Sequence, residues 1–321
     1  MKATAIAHPI QGLIKYHGLK DSRLRIPFHD SISVCIDALK TTTTVEATES
    51  LREDSVVING KRAIGTELER VEVVLNKLRS MTGYSGRFKV LSQNSITHGK
   101  GVGFSASGFA ALGKAACAAL DFDIDYTALS ELVRLGAGSA TRSLAGSFAI
   151  WYANKNGKSF AEQIVKPGDV DLGMVIVPAP SSIRTDQAHK EVLSSPLFNA
   201  RLKYVAGMIK LMEKAVKTGD IATIGRLAEE DSLNLHAITM TGKAHLVLWE
   251  SETIRTIKEV QRMQNEGVSA WYSIDTGPSV FVNTFTDDAK IVADRLRELG
   301  GSNIITSKVG GKPFLSRKHL F

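Results

Sequence analysis

The stretch Gly99-Lys-Gly-Val-Gly-Phe-Ser-Ala-Ser-Gly108 runs directly into Phe109-Ala-Ala-Leu-Gly-Lys-Ala-Ala-Cys-Ala-Ala-Leu120. The first part predicts a glycine-rich loop, because glycine permits positive φ angles and close approach of a ligand to the backbone. The second part predicts an alanine-rich, largely buried helix whose first N–H groups would favour an anion. The spacing matches neither the Walker pattern nor the dinucleotide fingerprint. A phosphate site and a tight turn packed against a helix are therefore equally compatible with this stretch.

The segments on either side of this stretch predict an α+β protein. An Asn59-Gly60 pair between two short strands predicts a hairpin with a type I′ turn. Strand-like segments precede long helical periodicities in both halves, which predicts two lobes with a boundary near residues 178–180. The other predicted strands cover residues 32–39, 42–47, 88–92, 148–152, 174–177, 270–274, 280–283 and 303–308. The predicted helices cover residues 67–79, 126–135, 197–218, 221–235, 252–264 and 287–299, and a further helix begins near residue 139.

Composition excludes several classes of protein. The 321 residues are 43% apolar and 23% charged, which is enough apolar material for a core and excludes global disorder. No apolar run is long enough to span a bilayer, and the first residues make a poor signal peptide, so we expect a cytoplasmic protein without a membrane segment. Cys35 and Cys117 could form a disulfide, but their apolar surroundings favour two buried free thiols. No zinc-ligand spacing occurs, so no metal site is expected.

The net charge of +7 fits either a solvated lysine-rich surface or an anionic partner. Basic residues are spread along the chain and are not interleaved with aromatic residues, as they would be on an RNA-binding sheet. A small phosphorylated ligand is therefore the better hypothesis than a nucleic acid.

Two further segments contain polar residues that could do chemistry. In Gly136-Ala-Gly-Ser-Ala-Thr-Arg-Ser143, the Arg142 fork could bind a carboxylate or phosphate, although Ser139 could simply cap a helix that carries a solvated arginine. In Ser273-Ile-Asp-Thr-Gly-Pro-Ser279, Asp275 could be an ordinary turn residue. It could instead be a catalytic carboxylate if a cation lies beside it, and Lys15 in an apolar strand is a suitable partner.

These segments occur in one order that resembles the mevalonate diphosphate decarboxylases of the GHMP kinase superfamily and their archaeal relatives. The resemblance runs from about residue 3 to residue 311. It is carried by residues 9–34, 101–112, 136–143 and 273–279, with 231–241 and 309–311 also fitting. The resemblance implies an α+β GHMP kinase fold of two lobes, each an antiparallel or mixed sheet with packed helices. Residues 1–178 would form the domain with the phosphate loop, and residues 179–321 the domain with the catalytic aspartate.

The resemblance also implies roles for individual residues. Asp275 would be the central catalytic carboxylate, with Lys15 beside it and Arg142 holding the substrate carboxylate. The residues expected to bind substrate are Tyr16, His17, Ser139, Arg184, Ser105 and Ser107. The residues expected to form the phosphate loop are Lys100, Gly101, Gly103, Phe104 and Gly108. The expected partner is a small phosphorylated mevalonate, and the expected assembly is a homodimer.

Departures from the family pattern bear on the substrate. His17 and Leu19 replace a tryptophan and a second lysine of the diphosphate-using enzymes, which implies a single 5-phosphate. Phe104 stands where ATP-using relatives carry a serine, and a phenyl ring can neither donate to a triphosphate nor hold Mg²⁺. Lys100 could cover negative charge instead.

The resemblance therefore favours an ATP-independent decarboxylation of mevalonate 3,5-bisphosphate to isopentenyl phosphate, phosphate and CO2, without a cofactor. The alternative is an ATP- and Mg²⁺-dependent phosphomevalonate decarboxylase. A mevalonate 3-kinase or a catalytically silent binding protein would be expected to lack Asp275 or Lys15, and both are present.

Overall fold

A computed structural model of the chain describes residues 1–96, 102–180, 185–300 and 303–321. In these residues no helix is both long and apolar enough to cross a membrane. The strands are β1 (Lys2–Ala7), β2 (Ile10–Ile14), β3 (Leu19–Asp21), β4 (Ile26–Pro27), β5 (Ser31–Cys35), β6 (Thr41–Thr48), β7 (Ser55–Ile58), β8 (Lys61–Arg62), β9 (Arg87–Asn94), β10 (Phe148–Trp151), β11 (Ala161–Val165), β12 (Leu172–Val177), β13 (Ala270–Ser273), β14 (Val280–Phe285), β15 (Ile305–Ser307) and β16 (Phe314–Ser316). The α-helices are α1 (Thr66–Thr82), α2 (Phe104–Ala119), α3 (Tyr126–Gly136), α4 (Ala140–Ala145), α5 (Thr185–Glu191), α6 (Phe198–Thr218), α7 (Ile221–Met240), α8 (Ser251–Asn265) and α9 (Ala289–Glu298).

The predicted hairpin forms as the local sequence requires. Strands β7 and β8 pair antiparallel, with Ile58 opposite Lys61. Asn59 and Gly60 both have positive φ, 49° and 77°. These are the angles of a type I′ turn, in which asparagine and glycine are the favoured residues. The prediction for this segment is confirmed.

A six-stranded sheet in the order β16-β1-β6-β9-β7-β8 packs against helix α2. The helix lies close to the sheet because its inner face consists of small side chains, such as the fully buried Ala110 and Ala115. On its other side, a Cβ at Gly113 would lie 2.3 Å from a methyl carbon of Val133 in α3. The alanine-rich composition therefore reflects close packing on two sides, as the buried-helix prediction expects. Cys35 and Cys117 are buried free thiols, as predicted.

A second core is shared by both halves of the chain. It contains Leu13 of β2, Val205 of α6, Leu227 of α7 and Phe281 of β14, all of them buried. It joins the four-stranded sheet β11-β10-β5-β2 to the four-stranded sheet β13-β14-β12-β15 through helices α6 and α7. The catalytic residues predicted in each half are brought together because β2 lies against this shared core.

Two differences from the sequence-based predictions affect the cavity and the first sheet. Helix α2 begins at Phe104, so that residues 104–108, which were predicted as loop, form its first turn. Gly103, with a φ of 79°, precedes it, and the serine and glycine residues that indicate a loop are here held helical by tertiary packing. The segment at β16 was predicted for the second domain, but it pairs antiparallel with β1 in the first sheet. Pairing between such distant segments has no local signature in the sequence.

Candidate active site

A cavity of about 700 Å³ opens where β2, the start of α2, the start of α4 and the turn after β13 meet. Its lining includes polar residues that the sequence singles out, Lys15, Tyr16, His17, Ser139, Arg142 and Asp275. It also includes residues in or beside the first sheet and at the start of α2, such as Asn59, Ser92, Asn94, Ile96 and Phe109.

Asp275 lies in the turn between β13 and β14 and points toward β2. The backbone N–H of Gly12 donates to both carboxylate oxygens, at 3.0 Å to Oδ1 and 3.2 Å to Oδ2. Burial raises the pKa of Asp275 to about 6, while Lys15, the Gly12 N–H and Arg142 each act to lower it. The carboxylate is therefore mainly ionised at neutral pH. Because its pKa lies near neutral pH, it is also basic enough to accept a proton.

Gly12 makes this arrangement sterically feasible. A Cβ at residue 12 would lie 2.8 Å from Lys15 Cγ and 3.0 Å from Asp275 Oδ1. Any larger residue would displace one of these two side chains. The requirement for glycine at this position arises from Asp275, far along the chain, and therefore has no signal in the local sequence.

Lys15 immediately follows β2 and is only 4% exposed. Its Nζ donates to the carbonyl of Ala228 at 3.3 Å and lies 3.9 Å from Asp231 Oδ2. Burial lowers the pKa of Lys15, and the carboxylates of Asp231 and Asp275 act in the opposite direction. The ammonium group is thus shielded from water near two carboxylates, where its electrostatic interaction with a ligand is stronger than in water.

A buried ion pair between Arg201 and Asp231 holds the backbone of Lys15 in place. Arg201 Nη1 lies 2.7 Å from Asp231 Oδ1, and the two residues are 1% and 0% exposed. Arg201 Nη2 also donates to the Lys15 carbonyl at 2.8 Å, and the Lys15 N–H donates to Asp231 Oδ2 at 2.8 Å. Removing one member of such a pair leaves an uncompensated buried charge, which costs about 3–5 kcal/mol. Arg201 was not predicted as a site residue, because a lone arginine in a helical pattern resembles a solvated charge.

Arg142 extends from α4 into the cavity wall and is 3% exposed. Its Nη1 donates to Ser31 Oγ at 2.7 Å, and the guanidinium lies 5.2 Å from the Tyr16 ring centre and 5.7 Å from that of Trp151. Its Nε is buried without a hydrogen-bond partner within the described part of the chain. A buried guanidinium with an unmatched donor favours an anionic ligand.

Tyr16 and His17 form a wall of the cavity together with His189 of α5. The Tyr16 ring lies edge-on to Trp151 at 4.7 Å and stacks on His189 at 5.0 Å. His17 is buried, and burial holds its pKa well below the usual value, so that it is neutral. His189 accepts a hydrogen bond from the Gly18 N–H at 3.2 Å. His189 is a lining residue that the sequence analysis missed.

The glycine turn places some of its predicted residues in the cavity. Gly103, Phe104, Ser105 and Gly108 line it. A Cβ at Gly103 would lie 2.5 Å from the carbonyl oxygen of Ile10, so only glycine allows the turn to approach β2 this closely.

One residue expected in the site lies elsewhere. Ser107 was predicted to bind substrate, but its hydroxyl is hydrogen-bonded to Thr41 Oγ1 at 2.7 Å and also donates to the Phe104 carbonyl at 3.2 Å. Its place on the inner side of the first helical turn directs it toward β6 and not toward the cavity. Lys100, Gly101 and Arg184 lie outside the described residues.

Ser139 lines the cavity at the N-cap of α4, and its side chain makes no capping hydrogen bond. The small residues before it allow this crowding, because a Cβ at Gly138 would lie 2.5 Å from the Trp151 ring. Within the described residues, no group of three or more His, Cys, Asp or Glu side chains is arranged to hold a metal ion.

Solved structures of similar proteins share this architecture over nearly the whole chain. The crystal structure of mevalonate diphosphate decarboxylase from Staphylococcus aureus superposes with a TM-score of 0.92 at 26% identity, covering 98% of both chains. A structure of mevalonate diphosphate decarboxylase from Enterococcus faecalis, described in terms of its ATP-binding mechanism, gives a TM-score of 0.91 at 27% identity over 99% of both chains. Fold and site together define an enzyme with the GHMP kinase fold.

Sequence comparisons identify the family. Residues 7–161 match the diphosphomevalonate decarboxylase-like N-terminal domain, and residues 181–313 match the mevalonate 5-diphosphate decarboxylase C-terminal domain. The phosphomevalonate decarboxylase of Haloferax volcanii is 40% identical over 302 residues, which are 94% of this chain and 93% of that protein. The diphosphomevalonate decarboxylase of Candida albicans is 28% identical over 304 residues, which are 88% and 84% of the two chains. The chain therefore belongs to the diphosphomevalonate decarboxylase-like family, and it is a decarboxylase.

Proposed function

We propose that this enzyme decarboxylates a mevalonate that carries a single 5-phosphate, giving isopentenyl phosphate. The observation that carries the proposal is the state of Arg142, whose buried Nε lacks a partner within the described residues, beside the Lys15–Asp275 pair. A ligand carboxylate at Arg142 would match that donor and lie next to a second carboxylate. The Haloferax volcanii relative, named a phosphomevalonate decarboxylase, supports the 5-monophosphate.

The reaction requires a leaving group at the tertiary carbon of the substrate. The 3-hydroxyl is first phosphorylated and loses its proton. The C3–O bond then breaks, and phosphate leaves with the electron pair. The C1–C2 bond breaks to release CO2, and its electrons form the C2=C3 double bond. With 5-phosphomevalonate and ATP, the products are isopentenyl phosphate, ADP, phosphate and CO2.

Each buried charge has a place in this chemistry. Asp275, whose pKa is raised to about 6, accepts the proton of the 3-hydroxyl. Lys15 stabilises the negative charge that develops on the departing phosphate, in a site where burial strengthens the interaction. Arg142 orients the substrate carboxylate through its fork of N–H donors.

We favour ATP as the source of the 3-phosphate. The cavity lining includes Asn59, Ser92 and Asn94 in addition to the charged residues, and its volume of about 700 Å³ gives room for a second ligand. The start of α2 offers N–H groups beside Gly103, and the hydroxyl of Ser105 lines the same space. The Enterococcus faecalis relative, which is described with ATP, supports the same assignment.

The second candidate is the ATP-independent reaction on mevalonate 3,5-bisphosphate. It is favoured by Phe104, which lines the cavity at the first residue of α2, where a hydroxyl would serve a nucleotide better. Both candidates use the same three charged residues and give the same isopentenyl product. They differ in whether the 3-phosphate is transferred on the enzyme or arrives with the substrate, and only the ATP-dependent reaction requires Asp275 to accept a hydroxyl proton.

The test is CO2 release from 5-phosphomevalonate with and without ATP and Mg²⁺, and from mevalonate 3,5-bisphosphate without nucleotide. Release from the monophosphate that depends on ATP is expected. If CO2 is released from the bisphosphate but not from the monophosphate with ATP, the second candidate is established. Release from neither substrate would overturn the proposed function. Asp275→Asn should be inactive in every arm, whereas Asp123→Asn, a change at an exposed aspartate outside the cavity lining, should keep wild-type activity.

A further inference from the structure

Helix α7 contacts both catalytic segments along one face. On the β2 side, it holds Lys15 at two points. The carbonyl of Ala228 accepts from Lys15 Nζ at 3.3 Å, and Asp231 Oδ2 accepts from the Lys15 backbone N–H at 2.8 Å. The helix thus fixes both the main chain and the ammonium group of this lysine.

On the other side, α7 holds the chain at the catalytic aspartate. Ser232 Oγ accepts from the Ile274 N–H at 3.0 Å, and His236 Nε2 lies 3.0 Å from the Asp275 carbonyl oxygen. A carbonyl oxygen can only accept, so Nε2 must carry the proton of the imidazole. Burial lowers the pKa of His236 to about 3, which keeps the ring neutral and in that donor form.

The four contact positions on α7 are 228, 231, 232 and 236, with spacings of three, four and eight residues from the first. Residues at these spacings lie on one face of an α-helix. A single rigid element therefore reaches two segments that are about 260 residues apart in the chain. The same two segments also contact each other directly, since the Gly12 N–H donates to Asp275 at a sequence separation of 263.

We propose that α7 sets the distance between the Lys15 ammonium and the Asp275 carboxylate, and that His236 is the positioning residue on the aspartate side. The carboxylate of Asp275 is held by Gly12, and its main chain is held by His236, so the side chain is constrained from both ends. Without the His236 donor, the turn can shift while the fold remains. This role rests on the proposed function of Asp275 and Lys15.

The competing explanation is that His236 is only a core residue. It is buried, and its ring lies 5.2 Å from that of Trp249. The two explanations predict different kinetics. A packing defect lowers stability, whereas loss of positioning lowers kcat with little change in KM, because substrate binding by Arg142 is left intact.

The experiment compares four variants of the full-length enzyme at a temperature at which all are folded. His236→Leu removes the donor and keeps similar bulk, and His236→Gln retains an N–H donor at comparable reach. Ser232→Ala removes the second contact. Thr239→Val is the matched control, because Thr239 is equally buried on α7 and donates to the Leu235 carbonyl of its own helix.

His236→Leu is expected to lower kcat by about 100-fold, the typical effect of a 1 Å displacement of a catalytic group, with KM changed by no more than about threefold. His236→Gln should recover most of kcat, and Ser232→Ala should lose about tenfold through a smaller shift of the same turn. Thr239→Val should keep the wild-type kcat. Equal kcat values for His236→Leu and Thr239→Val would overturn the proposal, as would a His236→Gln variant as slow as His236→Leu.

Failure of the proposed function gives a different result. In that case the wild-type enzyme would release no CO2, or Asp275→Asn would remain active. An active wild type, an inactive Asp275→Asn and an unaffected His236→Leu would refute only the positioning role. If His236→Leu does not fold, Ser232→Ala decides the question alone, because an unchanged kcat in that variant contradicts positioning by α7.

Discussion

Replacing Asp275 with asparagine is expected to abolish decarboxylation and, at the same time, to stabilise the folded enzyme. The reason lies in the cost of keeping this carboxylate ionised. Burial raises its pKa from 3.8 to about 6 despite the favourable charge of Lys15 and the hydrogen bonds from Gly12. A raised pKa means that the ionised form is less stable in the fold than in the unfolded chain. Asparagine has nearly the same shape and carries no charge.

The size of the effect follows from the shift. A shift of about 2 pKa units corresponds to about 3 kcal/mol at a pH above both values. The native state binds more protons than the unfolded state between these values, so the penalty grows as the pH rises from about 4 to about 6 and is complete above that. The gain from Asp275→Asn is therefore about 3 kcal/mol at pH 8 and about half of that at pH 5.

Urea unfolding of both proteins at pH 8 and pH 5 measures this difference directly. The activity assay on the same samples should detect no CO2 release from the variant. A variant that is less stable than the wild type at pH 8 would refute the reasoning. A stability difference that does not change between the two pH values would refute it as well, because it would not arise from ionisation of this carboxylate.

Three further results are expected. The kcat/KM should fall as the pH drops through about 6, where Asp275 gains a proton, by about tenfold per pH unit below that value; a flat profile down to pH 5 would exclude it as the base. Arg142→Lys keeps the charge but loses the planar fork, and steady-state kinetics should show a loss of about 10–100-fold in kcat/KM, mainly through KM; an unchanged KM would contradict carboxylate binding. Gly12→Ala should lower kcat by about 100-fold without altering the circular dichroism spectrum, because its Cβ would displace Lys15 or Asp275. Gly207→Ala is the control, since a Cβ there meets no atom within 4 Å, and equal kcat values for the two alanine variants would contradict the steric argument.

Local sequence signals predicted the local parts of the fold. The Asn59-Gly60 turn and the helical periodicity of residues 197–218 each depend on neighbours within a few positions, and both segments fold as predicted. The beginning of α2 was missed because serine and glycine favour loops when they are considered alone. Here the hydroxyl of Ser107 is buried against Thr41 in a neighbouring strand, and that contact is invisible without the tertiary structure.

The site was predictable where a residue lies in a recognisable segment. Lys15, Arg142 and Asp275 were named from such segments, and the structure brings them into one cavity. Their supports were given no role, although Asp231 begins a segment that fits the family, because Asp231 and Arg201 lie in helical patterns where a charge normally faces solvent. Their burial depends on the Lys15 backbone, to which each of them is hydrogen-bonded.

The pairing of β16 with β1 has a consequence for synthesis on the ribosome. One edge of β1 pairs with β6 early, but the other edge has its partner only after residues 314–316 have been translated. At roughly 5–20 residues per second, about 15 to 60 seconds separate the two strands. During that interval the nascent sheet exposes unpaired backbone groups to other chains. That edge of the nascent first sheet therefore needs protection while translation is under way.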